Sequence, residues 1–286
     1  MHVSLDSALG RQRRLNSVGE SVLQIAPNAA AAYSLRSLTG GDPKVVRVRR
    51  DTDGGAGDND EQDFTASEVS SGALVAFVGS GNDGFVETWY DQSGNSKDAT
   101  QATASLQPKI VNAGSLLTDG IDFDGTSQAG LITGSFSLTQ AFTTFSVSHT
   151  DDASTSQGVW STAASFDSTF NAAQLFRSDD GFSINSGTTL TTAGTINYVA
   201  DRNYLQTNVV NGGSSSIFVD GATGATGNMG ATNPSGVLIL GYYKSGSNIQ
   251  NLDGAIKELI IYDSDQTSNR AALETNIAAA NGVTLS

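Results

Sequence analysis

A run of acidic side chains follows the first segment with clear strand periodicity. Its carboxylates are those of Asp51, Asp53, Asp58 and Asp60. Oxygen ligands of this kind, about six to eight of them from flexible loops, are what Ca²⁺ takes in proteins. Gly55 stands where the EF-hand pattern needs its third acidic ligand, so the run does not match that motif. Two interpretations stay open: a calcium site at these four aspartates, and a solvated acidic loop, which we favour.

A second polar segment begins at Tyr90 and Asp91 and continues through residue 95. An aromatic ring beside groups that can bond hydroxyls is the usual composition of a sugar-binding loop. The alternative, which we favour, is a strand end and turn in which Asp91 accepts hydrogen bonds from backbone amides. Three other aromatic residues at predicted strand ends are candidate stacking platforms for a glycan, although each also fits the core or its rim: Trp160, Tyr242 and Tyr243.

Other catalytic chemistries find little support in the chain. The absence of Cys excludes disulfides, thiolate metal sites and cysteine nucleophiles. His149 stands close to Asp151 and Asp152, which permits a His–Asp pair, but the spacing assigns no serine nucleophile to it. We therefore assign no catalytic residue and interpret His149 as a hydrogen-bonded structural residue.

The charge and hydropathy patterns argue against two classes of partner. The 286 residues carry a formal net charge of −14. An acidic body of this kind repels phosphate backbones, so we expect no nucleic acid as a partner. No apolar run approaches the ~20 residues that a membrane-crossing helix needs, so we expect no insertion into a membrane.

Short stretches of alternating apolar and polar residues predict β-structure over most of the chain. Residues 44–50 place Val46 and Val48 on one face, and residues 73–78 form another apolar run that we interpret as a strand. Asp-Gly pairs, which favour tight turns, begin at residues 83, 124, 220 and 253. The number and spacing of these segments predict an all-β fold of two packed antiparallel sheets.

One helix is predicted near the end of the chain. Leu273 and Ile277 lie four residues apart, which places them on one helical face, and Gly282 follows where a helix would stop. We expect this helix to close one edge of the sandwich. The predicted fold is therefore an antiparallel β-sandwich with one C-terminal helix and an extended N-terminal arm.

The first 28 residues differ from the rest in charge and periodicity. Residues 1–50 hold eight of the 15 Lys and Arg but only three of the 29 Asp and Glu. We predict an arm over residues 1–28 and a single domain over residues 29–286. A disordered tail and a docking segment that orders on a partner are both open, and the apolar content favours docking. The predicted anchoring residues are Arg11, Arg13, Arg14, Leu15, Val18, Val22 and Leu23.

Residues 89–95, with 99–101 and 107–110 after them and 238–241 much later, resemble the catalytic domain of fungal and bacterial α-L-arabinofuranosidase B. That domain is a concanavalin A-like β-sandwich (jelly roll). The resemblance spans most of residues 30–262 and implies the same fold here.

The same resemblance permits a check of the catalytic pair. A glycosidase needs two carboxyl groups on either side of the scissile bond. An ungapped match puts Ser245 where the family has its acid/base Asp, and residues 166–174, which correspond to its nucleophile segment, contain no Glu. Serine cannot replace a carboxylate in either role, so the resemblance implies that the catalytic pair is lost. Asp167, Asp179 and Asp180 remain as candidates in the middle of the chain.

Residues 252–262 and the Ser-Asn-Arg at 268–270 are similar to the closing strand and helix of laminin-G and concanavalin A-like domains. Together with residues 90–95, this ending resembles virion proteins of marine bacteriophages, which decorate tails, fibres or capsids. We therefore predict a non-enzymatic bacteriophage virion surface protein, anchored by its arm and displaying a lectin-like sandwich to host glycans. The alternative is an arabinofuranosidase-like glycoside hydrolase or a secreted carbohydrate-binding protein.

This prediction also names partners and a location. The expected partners are other capsid or tail proteins and host surface polysaccharide. Fibre and decoration proteins are usually symmetric, so we expect a homo-oligomer, with a trimer as the simplest case. No cofactor is expected beyond the calcium option. The first thirty residues lack a secretory signal, so the predicted location is the virion surface after synthesis in the host cytoplasm.

Overall fold

Strand periodicity dominates the chain, and the computed structural model, which describes residues 19–51, 60–126, 130–166 and 168–286, is mostly β-structure. The strands of the first half are β1 (Ala31–Ser34), β2 (Lys44–Asp51), β3 (Glu61–Thr65), β4 (Asp83–Trp89), β5 (Ala99–Thr100), β6 (Lys109–Asn112), β7 (Ser115–Leu116), β8 (Ile121–Asp124) and β9 (Leu131–Ser137). Those of the second half are β10 (Phe142–Ser148), β11 (Gln157–Ala163), β12 (Phe170–Phe176), β13 (Phe182–Asn185), β14 (Thr189–Thr191), β15 (Tyr204–Val210), β16 (Ser215–Val219), β17 (Ala222–Gly227), β18 (Ser235–Leu240), β19 (Tyr242–Ser245), β20 (Asn248–Asn251) and β21 (Asp253–Tyr262).

Four α-helices occur in the described part of the chain: α1 (Val22–Ile25), α2 (Ala66–Ser70), α3 (Ala73–Val78) and α4 (Arg270–Asn281). None of the helices in those ranges is long and apolar enough to cross a membrane. The prediction of a mostly β fold with a C-terminal helix is confirmed. Helix α4 ends, as predicted, at Gly282, which adopts the left-handed conformation that glycine tolerates.

The strands do not divide into two separate sheets as predicted. All pairings are antiparallel, and one hydrogen-bonded path runs β17-β16-β15-β10-β21-β8-β6-β4-β5-β9-β18-β11-β12-β13-β14. Strand β9 joins the two halves because it pairs with β5 on one edge and with β18 on the other. The ends of the path approach each other, since a Cβ on Gly227 of β17 would lie 3.2 Å from the Leu190 side chain of β14. The sheet is therefore nearly closed.

Residues 73–78 form helix α3 and not the predicted strand. A short apolar run cannot by itself be assigned to helix or strand by periodicity. The preceding helix α2 has a capping box, in which the Thr65 hydroxyl accepts from the Glu68 amide and the Glu68 carboxylate accepts from the Thr65 amide. Helix α3 follows directly and buries Leu74 and Val78, four residues apart. The two short helices cover the sheet beside β2.

Apolar residues fill the interior of the nearly closed sheet and also coat part of its outside. Val46, Val48 and Phe123 belong to the inner cluster. A second cluster joins Phe145 and Tyr262, on the outer face of β10 and β21, to residues of α1 and α4. Strands β10 and β15 are buried on both faces for this reason, as all seven residues of each strand are buried.

The interior also contains a hydrogen-bonded polar network. Gln174 on β12 accepts from the Trp160 indole N–H at 2.9 Å and donates to the Ser146 hydroxyl at 2.6 Å. Asn208 on β15 donates to Gln174 at 3.0 Å and to Thr144 at 2.9 Å. These side chains are essentially unexposed, so the network ties β10, β11, β12 and β15 together without reaching the surface.

Helix α4 is fixed to the sheet by a buried ion pair. Glu258 on β21 is 1 % exposed and accepts two hydrogen bonds of 2.8 Å from the Arg36 guanidinium. Asn281, at the end of α4, donates to the same carboxylate at 3.1 Å. Arg36 also donates to Asn276 of α4 at 3.0 Å. The outer face of β21 is therefore occupied by a structural cluster along its second half.

Of the predicted anchoring residues, Val22 and Leu23 lie in or beside α1. Val22 is fully buried and Leu23 packs against the same cluster of the sheet and α4. Their apolar character is thus explained by packing within the chain. Arg11, Arg13, Arg14, Leu15 and Val18 lie outside the described residues, as does most of the predicted arm.

Candidate active site

The first half of β21 leaves its outer face open, and a row of side chains crosses the sheet there. Strand pairing sets Arg49 of β2 opposite Phe85 of β4, Phe85 opposite Lys109 of β6, Lys109 opposite Asp122 of β8, and Asp122 opposite Ala255 of β21. We call these five residues the cross-strand row. Directly opposed residues in antiparallel strands have neighbouring side chains, so the row places two cations, a ring and a carboxyl group side by side.

The first four residues of the cross-strand row, from Arg49 to Asp122, line a cleft of about 410 Å³. Its walls include the segment from Ala104 to Pro108 and the carboxylates of Asp51 and Asp124. We call this depression the main cleft. A smaller depression of about 230 Å³, the side pocket, lies on the other side of Asp122 and is lined by His149, Asp151 and Ala255 among others. Asp122 is the acidic residue that lines both.

The alternation of β8 explains how Asp122 reaches this position. Ile121 and Phe123 point into the core and are essentially unexposed, so Asp122 and Asp124 project from the opposite face. Asp122 faces Ala255, whose small side chain leaves room beside the carboxyl group. The strand thus holds a carboxyl group rigidly between the two depressions.

Other carboxylates gather at the same end of the sheet. Asp124 and Asp253 are directly opposed on β8 and β21, and the Asp151 amide donates to the Asp253 carbonyl at 2.7 Å. Burial raises the pKa of Asp122, and the charge of Asp151 raises it further. Burial likewise raises the pKa of Asp253, with added repulsion from Asp151, Asp152 and Asp124. Opposed like charges destabilise a sheet, so this edge is not arranged for stability.

His149 connects the side pocket to a hydrogen-bonded chain. Its Nε2 lies 3.0 Å from the Asp151 carboxylate and its Nδ1 lies 3.3 Å from the Asn203 side-chain oxygen. Asn203 in turn donates to Asp119 at 2.9 Å. A Cβ on Gly254 would lie 2.4 Å from the His149 carbonyl, so glycine is required for β21 to approach this closely. The imidazole therefore orients Asp151, and the predicted structural role of His149 is consistent with these contacts.

The predicted polar segment at residues 90–95 lies elsewhere and is a braced turn. The Tyr90 hydroxyl donates to Asp63 at 2.7 Å, and burial, together with this carboxylate, raises the pKa of Tyr90 to about 12. Asp91 accepts from the amides of Ala32 and Ser93, both at 2.9 Å, and from the Lys97 amide at 3.0 Å. The Asp91 carboxylate is thus used by backbone donors, as the turn interpretation predicts.

Two of the three aromatic candidates for glycan stacking are buried. Trp160 and Tyr242 have no exposed surface, and Tyr242 stacks on Phe166 with ring centroids 4.4 Å apart. Neither ring is available to a sugar, which corrects that expectation. Tyr242 begins the β19–β20 hairpin, which packs against strand β11, where Trp160 lies. Tyr243 is half-buried and lies against Phe170, with ring centroids 4.6 Å apart.

The positions that resemble the arabinofuranosidase catalytic pair do come together. Ser245 lies at the tip of the β19–β20 hairpin, and the next amide, that of Gly246, donates to the Thr169 hydroxyl at 3.2 Å. We call the hairpin and residues 166–174 the hairpin region. Asp167 lies outside the described residues, and the described members of this region include no acidic side chain. The hairpin region is aromatic and polar, as the sequence predicts.

The predicted calcium ligands are only partly described. Asp53 and Asp58 lie outside the described residues, Asp60 pairs with Arg50, and Asp51 lines the main cleft. Within the described ranges, no group of three or more acidic or His side chains is arranged to hold a metal ion. A calcium site therefore stays a prediction.

The cross-strand row was missed by sequence reasoning. The alternation around Arg49 and around Asp122 marks both as outward-facing, which is a usable signal. Nothing in the sequence states that β2, β4, β6, β8 and β21 are consecutive neighbours, or which residues are opposed.

No protein-family model and no curated protein sequence matches the chain. Among solved structures, a mutant of a GH54 α-L-arabinofuranosidase soaked with 4-nitrophenyl α-L-arabinofuranoside is similar, with a TM-score of 0.65 at 14 % identity over 91 % of this chain and 64 % of that one. An arabinofuranosidase complexed with arabinofuranosyl-α-1,2-xylobiose gives a TM-score of 0.54 at 16 % identity over 88 % of this chain and 63 % of that one. A Trypanosoma rangeli sialidase in complex with sialic acid gives 0.47 at 14 % identity, over 70 % and 32 %.

These similarities concern the fold, and the chain spans less than two thirds of each arabinofuranosidase and about a third of the sialidase. They correct the predicted function. We expected a non-enzymatic bacteriophage virion protein, whereas the two arabinofuranosidase structures share the fold over most of the chain, and neither is a virion protein. The prediction of a non-enzymatic role is therefore wrong, and the glycoside hydrolase alternative has the better support.

Proposed function

We propose that the protein is a glycoside hydrolase whose general acid is Asp122. The observation that carries the proposal is the position of Asp122 between the main cleft and the side pocket, with a pKa raised by burial and by Asp151. A carboxyl group between two adjoining depressions matches a sugar bound on each side of the scissile bond. A raised pKa keeps such a group protonated for donation to the leaving oxygen.

Asp151 is the proposed partner carboxylate. It lines the side pocket with Asp122, and His149 Nε2 holds one of its oxygens at 3.0 Å. In the proposed reaction the C–O bond breaks as Asp122 donates its proton to the leaving oxygen. Asp151 takes a proton from the water that attacks the anomeric carbon, so the net change is addition of water across the bond.

We further propose that the nearly closed sheet is a concanavalin A-like sandwich whose two layers are joined through β9. The similarity to arabinofuranosidases over about nine tenths of this chain supports that interpretation of the fold. The hairpin region, which resembles their catalytic segments, lacks a described carboxyl group. In the proposed enzyme the chemistry therefore lies on the outer face at the cross-strand row.

The test is a hydrolysis screen of the full chain against 4-nitrophenyl glycosides and reducing-end release from polysaccharides. Any substrate found is then tested with Asp122→Asn. Asp180→Asn is the matched control, because Asp180, a candidate from the sequence, is exposed, lines neither depression, and has a positive φ that Asn tolerates. Loss of turnover in Asp122→Asn with normal turnover in Asp180→Asn supports the proposal. Absence of hydrolysis across the screen, or equal turnover by Asp122→Asn, overturns it.

A further inference from the structure

Arg49 differs from every other arginine in the described part of the chain. Arg36, Arg47, Arg50, Arg177, Arg202 and Arg270 each lie within 4 Å of a carboxylate. Arg49 has no such partner among the described residues, although it is only 4 % exposed. A buried guanidinium is normally paired with an anion, because removing its charge from water is costly.

The hydrogen bonds of Arg49 leave one edge of its guanidinium poorly satisfied. Nε donates to the Gln107 side-chain oxygen at 2.8 Å, and Nη2 makes a long contact of 3.4 Å to the Ala104 carbonyl. Nη1 has no acceptor among the described residues. The edge formed by Nη1 and Nη2 is one of the two edges of a guanidinium that can bind a carboxylate through two parallel hydrogen bonds.

The surroundings hold Arg49 in place for such a contact. Gln107, which accepts from Nε, donates to the Gln101 carbonyl at 2.9 Å, and Gln101 donates to the Gly130 carbonyl at 3.0 Å. The Phe85 ring lies 4.9 Å from the guanidinium carbon. Arg49 is therefore fixed by neutral groups, and no carboxylate among the described residues balances its charge.

Lys109 adds a second cation on the same ring, 5.8 Å from its centroid, but this ammonium is paired with Asp83 at 2.8 Å. Of the two cations that line the main cleft, Arg49 is thus the one without a carboxylate partner among the described residues, while Asp51, Asp122 and Asp124 supply negative charge to the same cleft. Nη1 of Arg49 is shielded from solvent. A ligand that binds the Nη1–Nη2 edge must also replace the contact of Nη2 with the Ala104 carbonyl, which is weak at 3.4 Å.

We infer that the main cleft binds a sugar bearing a carboxylate, such as a uronic acid unit of a polysaccharide, with Arg49 as its recognition residue. The inference rests on the proposed function, since it names the substrate class of the same site. The carboxylate binds end-on to the Nη1–Nη2 edge, and the sugar ring lies along the cross-strand row toward Asp122. Arg49 thereby positions the substrate and takes no part in bond cleavage.

The test is calorimetric titration of the full chain with galacturonate, glucuronate and mannuronate oligosaccharides, each beside its neutral counterpart. We expect the uronates to bind and Arg49→Gln to weaken them about tenfold to a hundredfold, with little change for any neutral sugar that binds. Arg177→Gln is the matched control, because it removes the same charge from an exposed ion pair in the turn that follows β12.

A thermal melt of Arg49→Gln, and of Arg49→Met as an apolar replacement, shows that the variants are folded. Equal affinity for uronates and neutral sugars, or uronate binding unchanged in folded Arg49→Gln, overturns the inference. Binding of a sulfated galactan without binding of any uronate also overturns it, since the anion would then not be a carboxylate. Uronate binding that depends on Arg49 but is followed by no hydrolysis keeps the inference and removes the proposed reaction.

Discussion

The hairpin region and the cross-strand row are two regions of the molecule with opposite physical character. The hairpin region packs Tyr242 on Phe166 and contains no described carboxyl group. The cross-strand row and its surroundings instead gather like charges, with Asp122 and Asp253 both held at raised pKa. One surface is arranged for packing, and the other keeps charge where it costs stability. Titratable groups with perturbed pKa in a cleft are typical of functional sites.

The comparison shows that the segments that resemble a known catalytic domain need not be the ones that carry the reactive groups. The hairpin region, which corresponds to the segments of the arabinofuranosidase catalytic pair, is packed around a buried aromatic stack. The acidic residues of the cleft lie in a segment that carries no recognisable motif. A fold can keep its packing segments while its reactive groups lie on another face.

The largest expected effect is on turnover. Asp122→Asn keeps the shape of the side chain but cannot donate a proton at the required strength, so we expect kcat to fall about a hundredfold to ten-thousandfold. Ser245→Ala, in the hairpin region, should stay within about twofold of the parent, because it removes no proton donor. Initial rates on the substrate found in the screen measure both. A larger loss of kcat in Ser245→Ala would indicate that the active site lies in the hairpin region.

The next effect is on stability and falls on the hairpin region. Tyr242→Ala removes a fully buried stacked ring and should lower the free energy of unfolding by about 3–5 kcal/mol. Tyr243→Ala removes a ring that is only half-buried, so a smaller loss is expected. Urea unfolding compares the two variants, provided that the free energy of unfolding falls with urea concentration at the same slope in both. Equal losses would contradict the view that this region is organised around Tyr242.

The pH dependence of the reaction should report Asp122. Since the proposed acid acts in its protonated form, kcat/KM should fall about tenfold per pH unit above its pKa, which lies above the ordinary aspartate value. Repulsion from Asp253 contributes to that raised pKa. Asp253→Asn should therefore move the basic limb of the profile to lower pH. If the basic limb does not move in Asp253→Asn, the pH profile does not report the pKa of Asp122.

The smallest expected effect is on the stability of the fold and comes from the carboxylate of Asp253. Because the pKa of Asp253 is raised in the folded chain, the folded state favours the protonated form, and this contribution is lost as the pH rises from the ordinary aspartate value through the raised one. Asp253→Asn should thus stabilise the fold at pH 7 by about 0.2–1 kcal/mol, and the gain should vanish in acid.

Asp179→Asn is the control of opposite sign. The Arg177 guanidinium lowers the pKa of Asp179, so neutralising that carboxylate should cost stability at pH 7. Thermal melts from pH 3 to pH 8 follow both variants. If both substitutions stabilise the fold at pH 7, or if neither does, repulsion between Asp253 and its neighbouring carboxylates does not lower the stability of the fold.

Much of the fold could be predicted from the sequence. The alternation of residues 44–50 and the stop at Gly282 are local signals, and strand β2 and helix α4 were found from them. The run 73–78 was assigned wrongly, because a short apolar segment satisfies either period until its neighbours are known. The joining of the two layers through β9 was also missed, since a strand does not encode both of its partners.

The candidate site, like the fold, was determined in part by the sequence and in part only by the tertiary structure. By itself the sequence determined that Arg49 and Asp122 face outward, because strand geometry alternates side chains between two faces. Only the tertiary structure decided that they share a row, because the register of five strands distant in sequence sets which residues are opposed. Burial of the Arg49 charge and the raised pKa of Asp122 follow from that arrangement, since both depend on neighbours contributed by other strands.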